Sequence, residues 1–139
     1  MDESEQDLAD EYGSSRHAEE FAHTLGTLSP RVSATLEDHL SYHDGLLPTI
    51  FFSELGRWYI DSWRRRNENP EEFTDALMVA DAIGGKFTEY ATLDESIAVG
   101  FVEMFTDLSD GDRPCADTLP QPLKDEYQRM KSWKPQAPG

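Results

Sequence analysis

Cysteine is almost missing from this chain of 139 residues, and the single thiol, Cys115, excludes an internal disulfide framework. Positive charge is equally scarce. Twelve Lys and Arg stand against 28 Asp and Glu, for a net charge of −16, an excess that repels nucleic-acid phosphates and anionic membranes and attracts basic surfaces. No apolar run approaches the ~20 residues a membrane-spanning helix needs. No charged-then-apolar leader opens the sequence. No segment alternates convincingly between apolar and polar residues as a strand would, and only the stretch from Phe87 to Leu93 is ambiguous. These absences predict a helical protein of a reducing, cytoplasmic compartment, with no membrane and no nucleic acid among its partners.

What is present is enough for one core. Hydrophobic residues make up 37% and aromatic residues 11% of the chain, including three Trp and seven Phe, too much for an acidic disordered tail. Residues 1–13 are the exception. They carry six acids, no base and no apolar period, and read as a solvated lead-in before a single domain over residues 14–133 and a flexible tail over 134–139.

Periodicity divides that domain into six helices. Phe21, Leu25 and Leu28, with Ala18 and Ala22, form the first apolar stripe. Ser29-Pro30 then supplies an N-cap and an N1 proline, and Val32, Leu36 and Leu40 carry the second helix toward Asp44-Gly45. From Pro48 to Arg66, Phe51, Phe52, Leu55, Trp58, Tyr59, Ser62 and Trp63 share one broad arc. Glu54, Arg57, Asp61 and Arg64 lie opposite, spaced for ion pairs along the helix. Asn69-Pro70-Glu71-Glu72 opens a fourth helix, with Phe73, Ala76, Leu77, Ala80 and Ile83 as its stripe and Gly84-Gly85 as its expected stop. Thr92-Leu93-Asp94-Glu95 reads as a capping box before a fifth helix that buries Ile97, Phe101, Met104, Phe105 and Leu108 and turns Val99, Glu103 and Asp107 outward. Leu123, Tyr127 and Met130 define the last, with Trp133 just beyond. The fold class is all-α, either a compact bundle or a short solenoid-like stack of antiparallel pairs.

Chemistry-bearing patterns are few. His39 and His43 at i, i+4 are the best metal candidates, with Asp38 and Asp44 as possible oxygen ligands, but no Glu follows His39 as in a zincin and both fall within the apolar stripe of Leu36. Packed, hydrogen-bonded histidines are the simpler reading. Asp107, Ser109, Asp110, Gly111 and Asp112 are out of register for a calcium loop and read as a solvated acidic turn. Cys115 has no nearby base, and no convergent set of groups suggests catalysis or calls for a cofactor. Arg64-Arg65-Arg66 complements the negative end of its own helix and pairs with flanking acids.

Charge is blocked along the chain: −10 over residues 1–56, +3 over 57–66, −11 over 67–112 and +2 over 113–139. The acids offered to a partner are therefore Glu37, Asp38 and Asp44 in one region and Asp94, Glu103, Asp107, Asp110 and Asp112 in another. Tyr12, Tyr42, Tyr90 and Trp133 are aromatic candidates for a binding hot spot beside them.

Two stretches, His39-Leu40-Ser41-Tyr42-His43-Asp44-Gly45-Leu46-Leu47-Pro48 running into the aromatic helix through Trp58, and Glu95-Ser96-Ile97-Ala98-Val99-Gly100-Phe101-Val102-Glu103-Met104-Phe105, resemble a family of small acidic helical bacterial proteins. That family is similar to immunity proteins of polymorphic toxin systems, over residues 36–123. The resemblance implies a cytoplasmic, non-catalytic protein that binds and blocks a toxin domain usually encoded beside it. It brings no catalytic residue. Gly100 inside the fifth helix and the acidic extension before Gly13 depart from the family pattern. Composition leaves two alternatives: a nucleic-acid mimic that occupies a nucleic-acid-binding protein, and a metal-dependent enzyme built on His39 and His43.

Overall fold

The computed structural model describes residues 16–89 and 91–133, and all of its regular structure is helical. The acidic lead-in, the C-terminal tail, Tyr12, Tyr90 and the Trp133 side chain lie outside what is described. In chain order the α-helices are α1 (Arg16–Leu28), α2 (Pro30–His43), α3 (Pro48–Arg64), α4 (Pro70–Lys86), α5 (Ala91–Ser96) and α6 (Gln121–Trp133). Between α5 and α6 the chain passes through a π-helical segment, Ile97–Phe101, and two 3₁₀ segments, Val102–Phe105 and Asp110–Thr118. Among the described residues no strand occurs, and no helix is long and apolar enough to cross a membrane.

Two of the helix starts follow directly from their caps. The Ser29 hydroxyl accepts the Arg31 N–H at 3.2 Å, and the Asn69 side chain accepts the Glu72 N–H at 3.2 Å, each followed by a proline whose missing N–H costs nothing at the first helical position. The end of α2 is set by Asp44 in the left-handed region at φ 55°, followed by Gly45 at φ 136°.

The core is arranged around α3, which buries Phe51, Phe52, Leu55, Gly56, Tyr59, Ile60, Ser62 and Trp63 and packs against α2, α4 and the π segment. The fully buried Tyr59 meets Phe73, Phe101 and Phe105 edge-on at 5.5–6.0 Å between ring centres, and its hydroxyl bonds Thr118 Oγ1 at 2.5 Å. Cys115 is fully buried beside the same layer, and burial pushes its thiol up to about 12, so it packs as a small apolar group and not as a nucleophile.

Three expectations give way here. Gly84-Gly85 does not stop α4, which continues to Lys86; Gly84 is instead a point of close approach, because a methyl group there would stand 2.9 Å from Pro120 Cγ and 3.3 Å from its Cβ. Leu28 and Leu77 are exposed and not part of their stripes, since α4 turns Val79 inward in place of Leu77. The fifth helix is not one amphipathic α-helix, and Thr92 lies inside α5 and not at its cap. Its cause is steric: Gly100 rests on α3, where the Thr49 carbonyl oxygen, Phe52 Cβ and the Ser53 nitrogen occupy the space of a side chain. The backbone widens to a π turn and then tightens to 3₁₀, so that Ile97, Gly100, Phe101, Val102 and Phe105 all reach the core.

The paired glycines of α4 supply a sharp contrast. Gly85→Ala, which meets nothing within 4 Å, should stabilise by about 0.5–1 kcal/mol through helix propensity. Gly84→Ala should instead destabilise by about 1–2 kcal/mol unless Pro120 recedes. Chemical denaturation of the two variants side by side measures both.

Candidate functional site

Most of the arginines are engaged within the fold. Arg64 bonds Asp112 through Nε at 3.0 Å and Nη2 at 2.8 Å and also reaches Asp61 at 3.2 Å. Arg65 donates to Glu72 at 2.9 Å, and Arg31 bonds Asp75 at 2.8 Å while standing 3.7 Å from Glu72. Arg66 lies over the Trp63 ring at 4.0 Å and donates to the Trp63 carbonyl at 2.8 Å. Arg113 pairs with Asp110 at 3.2 Å, and Arg129 pairs with Glu126.

Glu72 is the hub, since it also accepts the Trp58 indole N–H at 3.1 Å. Burial raises its carboxyl, but the hydrogen bonds from Arg65 and Trp58 and the charges of Arg65 and Arg31 outweigh this and hold it below the usual range. A depressed folded-state value gives stability that is present above the unfolded-state value and is lost as pH falls through the folded one. Glu72→Gln should therefore lower the denaturation midpoint at pH 7, and the gap from wild type should close below about pH 4, the unfolded range of Glu. Paired denaturation curves across pH 3–7 read this.

This internal pairing divides the acids expected to face a partner. Asp112 is held by Arg64, and Asp110 is exposed but paired with Arg113. Asp94 is half-buried and accepts the Thr88 N–H at 2.6 Å; burial, with Glu126 and Glu89 nearby, raises its carboxyl, so it serves the turn before α5. Glu103 and Asp107 are exposed on the outer side of their segment, as is Val99. The second acidic region is thus dispersed among local roles.

The first region is gathered. Glu37, Asp38, Tyr42 and Asp44 are all exposed along the second half of α2 and its cap, and Tyr42, 85% exposed, is the most exposed of the large hydrophobic side chains described. Beneath them His39 is buried. Its Nε2 accepts the Leu47 N–H at 3.0 Å, which fixes the proton on Nδ1, and Nδ1–H donates to Glu54 Oε1 at 2.6 Å. One imidazole therefore ties α2 to the first residues of α3 and to its second turn. The His43 ring lies tilted against His39 at 4.5 Å between ring centres, and Tyr42 meets His43 edge-on at 4.8 Å. A shallow cleft of about 520 Å³ results, lined by Asp38, His39, Ser41, Tyr42, His43 and Glu54. Leu47 and Ile50, both about two-fifths exposed, lie on the adjoining start of α3.

With both His39 nitrogens committed, the i, i+4 pair has no converging lone pairs to offer an ion, and no group of three or more ligands occurs among the described residues. Spacing along α3 pairs Glu54 with Arg57. Glu54 turns the other way, to His39, and Arg57 makes no ion pair among the described residues; of the three pairings expected along α3, only Asp61–Arg64 forms. Glu54 is the member of the cleft that the sequence concealed, because its partner lies 15 residues away. The exposure of Ile50 was visible in part, since it falls outside the apolar arc of its helix. Compared with protein-family models, curated proteins and solved structures, the chain finds no match.

Proposed function

We propose that this chain is a non-catalytic inhibitor of the immunity-protein type, which binds a basic toxin or nuclease-like domain through the acidic end of α2 and blocks it. The observation that carries the reading is the exposure of Tyr42 on the helix that also exposes Glu37, Asp38 and Asp44, acids with no ion pair among the described residues, over a buried His39 that ties α2 to α3. Aromatic anchors amid charge that steers encounter are the ingredients of a tight protein interface. Leu47 and Ile50 add apolar area beside the anchor, and Glu37, Asp38 and Asp44 supply the field. Glu103, Asp107 and Val99 belong to a secondary contact at most.

The test is co-expression with the basic C-terminal domain of a secreted protein encoded beside this chain. Association and suppressed toxicity are expected, with a rate of association that falls as salt rises. Tyr42→Ala should weaken the complex about 30-fold or more, the loss of a hot-spot aromatic, while its thermal midpoint stays near wild type because the side chain is almost wholly in solvent. A pair that fails to associate, or toxicity unchanged by this chain, sinks the proposal.

A further inference from the structure

The cleft at the end of α2 has a chemistry of its own. Asp61, Glu72, Asp75, Asp110 and Asp112 all have arginine partners inside the fold, whereas the two carboxylates of the cleft, Asp38 and Glu54, have none among the described residues. Among the described residues Glu54 receives the His39 Nδ1–H on Oε1 and nothing on Oε2, so one end of the carboxylate is anchored while its side chain is two-thirds removed from solvent. Tyr42, which lines the same cleft, is largely exposed, and among the described residues its one ring contact is edge-on, with His43. Ser41 adds a hydroxyl at the rim. Arg57 is exposed three residues beyond Glu54 and reaches neither carboxylate.

The geometry points to this cleft as a receptor for one arginine side chain of the basic partner, its guanidinium paired with Asp38 and Glu54 and stacked on Tyr42. The inference rests on the inhibitor reading and names the chemical group that reading left open. A planar, delocalised cation matches both elements of the site: its N–H groups fork onto carboxylate oxygens, and its face covers an aromatic ring. An ammonium satisfies the carboxylates but gains less from the ring. The anchoring of Glu54 matters because a carboxylate already held at one end by His39 loses less freedom when the guanidinium arrives. The size of the cleft, about 520 Å³, accommodates one such side chain and its stem.

The decisive experiment uses the whole chain and short capped peptides Gly-X-Gly with X as arginine, lysine or citrulline, followed through the Tyr42 and His43 ring resonances. The arginine peptide should give saturable shifts, with citrulline, its uncharged isostere, giving none. Asp38→Asn and Tyr42→Ala, both surface changes, should each weaken the arginine peptide about five-fold, and Glu54→Gln, which keeps an acceptor for His39, should do the same. Equal shifts from citrulline, equal affinity for the lysine peptide, or indifference to all three substitutions would overturn the assignment. The two readings fail separately. A partner that binds wild type and the Asp38→Asn and Glu54→Gln variants equally well upholds the inhibitor function and removes the arginine site, whereas arginine binding without any protein partner does the reverse.

Discussion

Gly100→Ala should lower the stability of the fold by about 3 kcal/mol, at the upper end of what overpacking usually costs, and the thermal midpoint by roughly 10 °C. The added methyl is driven into the Thr49 carbonyl oxygen, with Phe52 Cβ at 2.9 Å and the Ser53 nitrogen at 3.3 Å behind it. Two of those three atoms are backbone of the central helix, so no side chain can swing aside. Relief demands that the π segment lift from α3, which separates Phe101 and Phe105 from Tyr59 and opens the middle of the core. Helix propensity alone predicts the opposite sign, since alanine exceeds glycine by about 1 kcal/mol in a helix interior. A stabilised variant in thermal or urea denaturation would show that the close approach is not what shapes this segment, and Gly85→Ala provides the control with the same chemistry in open space.

His39→Ala should cost about 3 kcal/mol as well, for a different reason. Removing the ring leaves the Leu47 N–H and one oxygen of Glu54 without partners in a part-buried place, and empties the space against Phe51 and His43. The loss is local in origin yet reaches function, because the ring is what holds the end of α2 to the start of α3. Binding of the basic partner we propose should fall with stability, and lowered temperature should restore folding before it restores affinity. Glu54→Gln separates the two effects: it preserves an acceptor for Nδ1–H and should cost no more than about 1 kcal/mol. Denaturant midpoints for the two variants, read beside partner affinity, check the ordering; equal costs would mean that the charge on Glu54, and not the hydrogen bonds of His39, holds this corner.

These two residues also mark where the sequence was readable and where it was not. Ser29-Pro30 and Asn69-Pro70 announced their helices because a cap and an N1 proline are local chemistry, complete within four residues. The aromatic arc of α3 placed most of the core for the same reason, although Ile60 is buried outside that arc and Trp58 within it is only half-buried. Gly84 misled because glycine carries two meanings, a stop or a close approach, and only the neighbours decide; Gly100, which stands out in the sequence only as a departure from the family pattern, is a close approach too, to Thr49 as Gly84 is to Pro120. Asp112 and Asp94 looked like parts of an acidic face until Arg64, 48 residues away, and the Thr88 N–H were seen to hold them. Tyr42, Asp38 and Asp44 were legible as exposed and acidic, but the cleft was not, since Glu54 joins them only through the fold.

The arginines locked against Asp61, Glu72, Asp75 and Asp112 have one more consequence, for how copies of this molecule meet each other. Their positive charge is offset at short range by these carboxylates, so as two copies approach to within a Debye length, about 8 Å in physiological salt, each presents the other with a mainly negative potential. Collisions between like copies are discouraged before any surface detail is felt. In light scattering this is a positive second virial coefficient that declines as salt is added, the signature of particles kept apart by their own field.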